Sequence, residues 1–216
     1  VRVYSKWGFP LKTFKLSSLF ATLGGVCSTT DSGNPIVLYD QLAGRWVFAQ
    51  SAFASPTTPP YHECIAVSYT SDPTGWFLVY DFDLGNNLNR DRRFGIWPDG
   101  YYMSANQFSS AGAFAGAGLF VFDRTRMLSG SSPHLPVYRS RPDLSSLLPA
   151  DVDGDVPPPV GAPNYFAMLG TTDTVRLFEF HADFITPGAS TFVERPDSPV
   201  TVAAYDARSP SGPNVI

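Results

Sequence analysis

Charge is scarce in this chain: Asp, Glu, Lys and Arg make up 16% of its 216 residues, against about 25% in an ordinary soluble domain. With 15 basic and 19 acidic side chains the formal balance is −4. That balance argues against a nucleic-acid surface, which would show clustered Lys and Arg. No apolar run reaches the roughly 18 residues of a membrane-crossing helix, so direct membrane insertion is not expected. Helical periodicity is nearly absent; the best stretches, 125–128 and 143–148, amount to a turn or two. Only two cysteines and three histidines are present. With neither a Cys-x-x-Cys nor a Cys/His spacing among them, zinc is not indicated. His62-Glu63 lacks the second histidine of a zinc protease, and no Gly-x-Ser-x-Gly elbow occurs. Val1-Arg2-Val3-Tyr4 shows no secretion signal.

Aromatics, by contrast, reach 14%, and 18 glycines with 20 prolines punctuate the chain. This is too apolar for disorder. Short apolar or β-branched runs bounded by turn residues predict strands near 2–5, 13–16, 36–40, 46–53, 64–69, 77–82, 94–97, 101–107, 118–123, 137–139, 165–170, 175–181 and 200–205. A sandwich, a barrel or a propeller would all fit. Internal similarity separates them. A strand ending in an aromatic and, in most cases, Asp recurs at Ile36–Asp40, Leu119–Asp123 and Ala203–Asp206, with Val3–Lys6 as a weaker copy. The aromatics Tyr39, Phe122 and Tyr205 are spaced 122 − 39 = 205 − 122 = 83 residues apart. Aromatic-rich hairpins recur at Cys64–Phe82, Tyr101–Phe122 and Tyr165–Phe180. The expectation is one all-β domain over residues 1–216, a β-propeller with about three to four four-stranded blades of roughly 60 residues each. Such an arc cannot close and leaves two sheet faces bare. Both ends read as cut, the last segment, 211–216, opening a new apolar run.

Cys27 and Cys64 admit two readings. They are buried free thiols, or they form a disulfide closing a loop of 64 − 27 = 37 residues, worth about 3–4 kcal/mol and implying an oxidising compartment. Asp151, Asp153 and Asp155 are the candidate metal ligands, since alternating carboxylates can converge on Ca2+. The later ligands of a calcium loop are replaced by Pro157, Pro158 and Pro159, so a solvated acidic turn is the simpler reading. Asp72-Pro73-Thr74-Gly75 reads as a type I turn. Glu179 and His181 share a strand face and read as a structural pair. Asn89–Arg93, the densest charged run, reads as a solvated loop, and 109–118 as a small-residue loop.

Several of these landmarks, in order, resemble a group of uncharacterised bacterial secreted proteins with predicted β-propeller folds. They are Cys27–Asp40 with Ala43-Gly44-Arg45-Trp46-Val47, Cys64–Ser68 with Asp72–Gly75, Trp97–Tyr102, Phe122-Asp123-Arg124, Gly161–Phe166 and Leu177–His181. The resemblance implies an extracellular propeller with a cysteine at each of these two positions, which favours the disulfide, and no established activity. Asn34 stands where members usually carry Asp, which weakens any cation site at that turn.

The functional expectation is a non-enzymatic binding or assembly module, secreted, periplasmic or on the cell surface. It would contact protein or glycan partners through its blade loops. The alternative is a propeller glycoside hydrolase or lyase with carboxylates at the central channel, for which Asp99, Asp123 and Glu179 are the candidates.

Overall fold

The computed structural model describes residues 1–31 and 34–206; Ser32, Gly33 and the apolar segment 211–216 lie outside the described residues. The protein is all-β, with two short α-helices and four antiparallel sheets, none closed into a barrel. A two-stranded hairpin of β1 (Arg2–Tyr4) and β2 (Pro10–Thr13) opens the chain. A 3-10 turn at Leu16–Phe20 and helix α1 (Gly25–Thr29) follow.

Three meanders succeed one another. The first is β3 (Ile36–Asp40), β4 (Arg45–Ala52), β5 (His62–Ser68) and β6 (Phe77–Asp83). The second is β7 (Leu88–Ile96), β8 (Gly100–Phe108), β9 (Phe114–Asp123) and β10 (Val137–Arg141), with helix α2 (Arg124–Ser129) between its last two strands. The third is β11 (Leu148–Pro149), β12 (Asn164–Leu169), β13 (Thr174–His181) and β14 (Thr191–Glu194); β15 (Val200–Thr201) also pairs with β13. In each meander the spatial order equals the chain order, as short connections between antiparallel neighbours dictate.

Strand alternation sends each sheet's apolar side chains to both faces, and the faces stack. Val47, Ile65 and Tyr80 of the first sheet meet Tyr101, Met103 and Phe122 of the second. Tyr102, Leu119 and Val121 point the other way, against Phe166, Phe178 and Phe180 of the third. The aromatic excess is thus spent on flat, interdigitating layers, with rings tilted or edge-on, as between Tyr102 and Phe180 at 5.7 Å. The outer face of the first sheet, expected to be bare, is covered. Leu16, Phe20 and Cys27 pack on Phe48, Cys64 and Ala66.

The first strands of the second and third sheets meet backbone to backbone. A Cβ on Gly95 would lie 2.2 Å from the Ala150 carbonyl oxygen, and Val152 N donates to Ile96 O at 3.1 Å. At later strands, other segments also take part in the contacts. Helix α2 puts Met127 into the layer between the first two sheets, and Tyr80 Oη donates to its carbonyl at 2.7 Å. Arg139 on β10 donates to Pro187 O at 2.9 Å, on the loop before β14.

Cys27 lies in α1. Three local expectations are corrected. Residues 143–148 form no helix, because Ser146 sits at φ 52. Asn89–Arg93 is no solvated loop but the bulged middle of β7, and Phe114–Gly118 is the start of β9 rather than a loop.

Candidate functional site

Pairing between β7 and β8 slips between Arg90 and Arg93. An extra residue in one strand bends it and re-aims side chains, and here Asp91 takes φ 50. A non-glycine residue with positive φ is uncommon and strained. Among the described residues there are two others, Asn34 (φ 50) and Ser146 (φ 52). Each lies two residues before a regular stretch of a sheet's first strand: Asn34 before Ile36, Asp91 before Arg93, Ser146 before Leu148. All three line cavities at the same end of the sheets.

The larger cavity, about 400 Å³, has one polar wall and one aliphatic wall. Asp91, Arg93, Asn106 and Ser146 form the first; Leu148, Met168, Leu169 and Val175 belong to the second. Asn106 organises the polar wall. Its Nδ2 donates to Asp91 Oδ2 at 3.2 Å, and its Oδ1 accepts from Ser146 N at 2.8 Å. The smaller cavity, about 220 Å³, lies on the other side of the bulge, between Asn34, Ser51, Asn89 and Arg92.

The bulge also turns Arg92 inward. It is buried and pairs with the fully buried Glu63 of β5, while its Nη2 donates to Asn34 O at 2.5 Å. One guanidinium therefore ties β7 to β5 and to the segment just before β3. Burial pushes the Glu63 carboxyl up to about 7, although Arg92 pulls it down. Glu63 Oε2 has no hydrogen-bond partner.

A second polar cluster occupies the opposite end. Arg124 makes a two-point bond to the buried Asp40, Nε to Oδ2 at 2.7 Å and Nη2 to Oδ1 at 2.9 Å, and Tyr101 donates to Asp40 Oδ2 at 3.0 Å. Asp99 accepts from Tyr102 at 3.0 Å, and desolvation pushes its carboxyl up against that bond. Asp123 caps α2 and takes His134 Nδ1 at 2.7 Å. These bonds join layers: Asp40 belongs to the first sheet, Tyr101 to the second.

The candidates named from sequence are distributed as follows. Cys27 and Cys64 lie at disulfide distance, 1.99 Å between sulfurs. Asp81 joins them in a compact group of metal-ligating residue types, yet sulfurs bonded to each other offer no thiolate. Asp151, Asp153 and Asp155 are not gathered into such a group; Asp151 instead accepts from Ile96 N at 2.6 Å. Asn34, whose place in the turn already weakened a cation site there, gives its carbonyl to Arg92. Asp99 and Asp123 share an end of the second sheet, since Gly100 pairs with Asp123. Glu179 is held elsewhere, by Arg195 at 2.9 Å rather than by His181. Sequence reasoning missed Glu63, Arg92, Asn106 and Ser146. The one signal was Asn89–Arg93 itself, where three arginines between Leu88 and Phe94 could have been read as one buried and two exposed.

Comparison of the chain with protein-family models, with curated proteins and with solved structures found no match. Among the described residues no helix is long and apolar enough to cross a membrane.

Proposed function

We propose that the chain is a sector of an extracellular β-propeller acting as a binding module, and that it holds an extended protein segment in the groove beside β7. The propeller reading is supported by three successive four-stranded meanders, by the close approach of Gly95 on β7 to Ala150 just after β11, and by the placing of α2 and the 187–190 loop against later strands. The Cys27–Cys64 pair favours an oxidising compartment.

The observation that carries the binding reading is the gathering of all the described positive-φ non-glycine residues on two cavities. Strain of this kind persists where the surroundings enforce it, and it concentrates at functional sites. Asp91, Arg93 and Asn106 can meet the backbone and charges of a peptide, with Leu148, Met168 and Val175 receiving an aliphatic side chain. Among the described residues no aromatic ring lines this larger groove to stack on a sugar face, which favours protein over glycan.

Display-selected peptides and a glycan array, both probed with the intact chain, test the reading. Selected peptides are expected, and Arg93→Ala should weaken them about tenfold. Glycan hits alone, unaffected by that substitution, would refute it, and glycan cleavage would support the hydrolase alternative.

A further inference from the structure

All three lysines of the chain, Lys6, Lys12 and Lys15, fall in its first 15 residues together with Arg2, and no Asp or Glu occurs before Asp31. The remainder carries 15 − 4 = 11 basic against 19 acidic side chains, or −8. The hairpin β1–β2 and the turn that follows it therefore carry an excess of four positive side chains with no acidic residue among them.

That hairpin is built to protrude. Ser5 fixes its tip: Ser5 N donates to Phe9 O at 2.8 Å, and Ser5 Oγ accepts from the backbone N–H of Phe9 at 3.1 Å. All four residues of β2 are exposed. At the tip Trp7 is 87% and Phe9 68% exposed, with Leu11 and Tyr4 exposed behind them. Lys12 Nζ donates to Thr74 O at 2.7 Å, which sets the turn carrying the 88%-exposed Trp76 alongside. Asp72 is the carboxylate of that turn, and Lys12 faces it.

We infer that this hairpin is a peripheral anchor for an anionic lipid surface. Trp and Tyr favour the headgroup region, where one end of the ring is apolar and the other wet. Lysines beside them reach back to lipid phosphates. Charge complementarity requires a negative partner. The shape favours a bilayer: the aromatics crown a hairpin tip whose second strand is exposed along its length, where a protein partner would need a concave or flat face to pack. Insertion is confined to the tip, so no membrane-spanning segment is involved.

Sedimentation of the intact chain with phosphatidylcholine vesicles, with and without phosphatidylglycerol, provides the test, read together with tryptophan emission. Binding is expected only with phosphatidylglycerol, weakened by salt and accompanied by a blue shift. Lys6→Gln and Lys15→Gln should each cost about fivefold in affinity. Trp7→Ser should remove most of the shift while leaving thermal stability unchanged. The inference is overturned by equal binding to neutral vesicles, by no binding at low salt, or by variants that bind like the parent. It is also overturned if the same lysine variants instead abolish self-association of the chain, which would assign the hairpin to an acidic protein face.

Discussion

Replacing Arg92 with Met should cost about 3–5 kcal/mol near neutral pH, because it strands a buried carboxylate without its counter-charge. Glu63 and Arg92 are both buried, and the arginine also reaches the Asn34 carbonyl of the first sheet. The loss should depend on pH with a definite sign. In the folded chain the Glu63 carboxyl is raised to about 7, from an ordinary value of 4.5. A raised carboxyl binds its proton more tightly when folded. Its stabilising contribution is therefore complete below pH 4.5 and is lost as the pH rises through 7. Without Arg92 the ionised form is costlier still. Urea denaturation should therefore show a larger deficit at about pH 8 than at about pH 5. Adding Glu63→Leu should restore much of the stability, since paired removal of buried charges is often close to neutral. Equal deficits at both pH values, or no rescue, would remove Glu63 as the cause.

Opening the Cys27–Cys64 link should cost about 4 kcal/mol, the chain-entropy value for a loop of this length, the separation being 37 residues. The link joins α1 to β5 and so holds the cover on the first sheet. Gln50 adds a lesser tie, donating to Thr30 O at 3.2 Å. Without the link the Phe48 and Ala66 face would open before the sheets separate. A Cys27→Ser, Cys64→Ser chain should melt about 8–16 °C lower, at roughly 2–4 °C per kcal/mol for a chain of this size. Thiol titration of the unreduced, denatured parent should find no free thiol. Two titratable thiols, with the double variant melting like the parent, would refute the bond.

The strands were legible where the alternation was clean. Ile36–Asp40 was read to the residue, and Tyr165–Gly170 and Val175–His181 to within one, because apolar runs there are bounded by turn residues. Asn89–Arg93 was not, since charge outweighs strand propensity when a bulge supplies a buried partner from another sheet. Glu63 could not be recognised either: its neighbours in sequence say nothing of Arg92, 29 residues away. Nor does composition reveal that 16–29 would fold back over the first sheet; the expectation of two bare faces treated every residue as belonging to a blade. Asp151-Val152-Asp153 looked like a ligand run because spacing alone cannot show that Val152 is buried and Asp151 bound to the Ile96 amide. The groove was invisible for a related reason: it is assembled from positions 91, 106, 146 and 168, contributed by two different meanders.

The proposed radial arrangement of the three sheets is open to direct measurement with paired nitroxide labels on introduced cysteines. One pair, at Val37 and Leu148, marks the first strands of the first and third sheets; the other, at Asp83 and Val193, marks their last strands, all four being exposed sites. Strands lie about 4.8 Å apart within a sheet and packed sheets about 10 Å apart. A radial arrangement should give an outer separation longer than the inner one by on the order of 10 Å or more. Equal separations, near twice the packing distance for both pairs, would mean parallel layers and would contradict it.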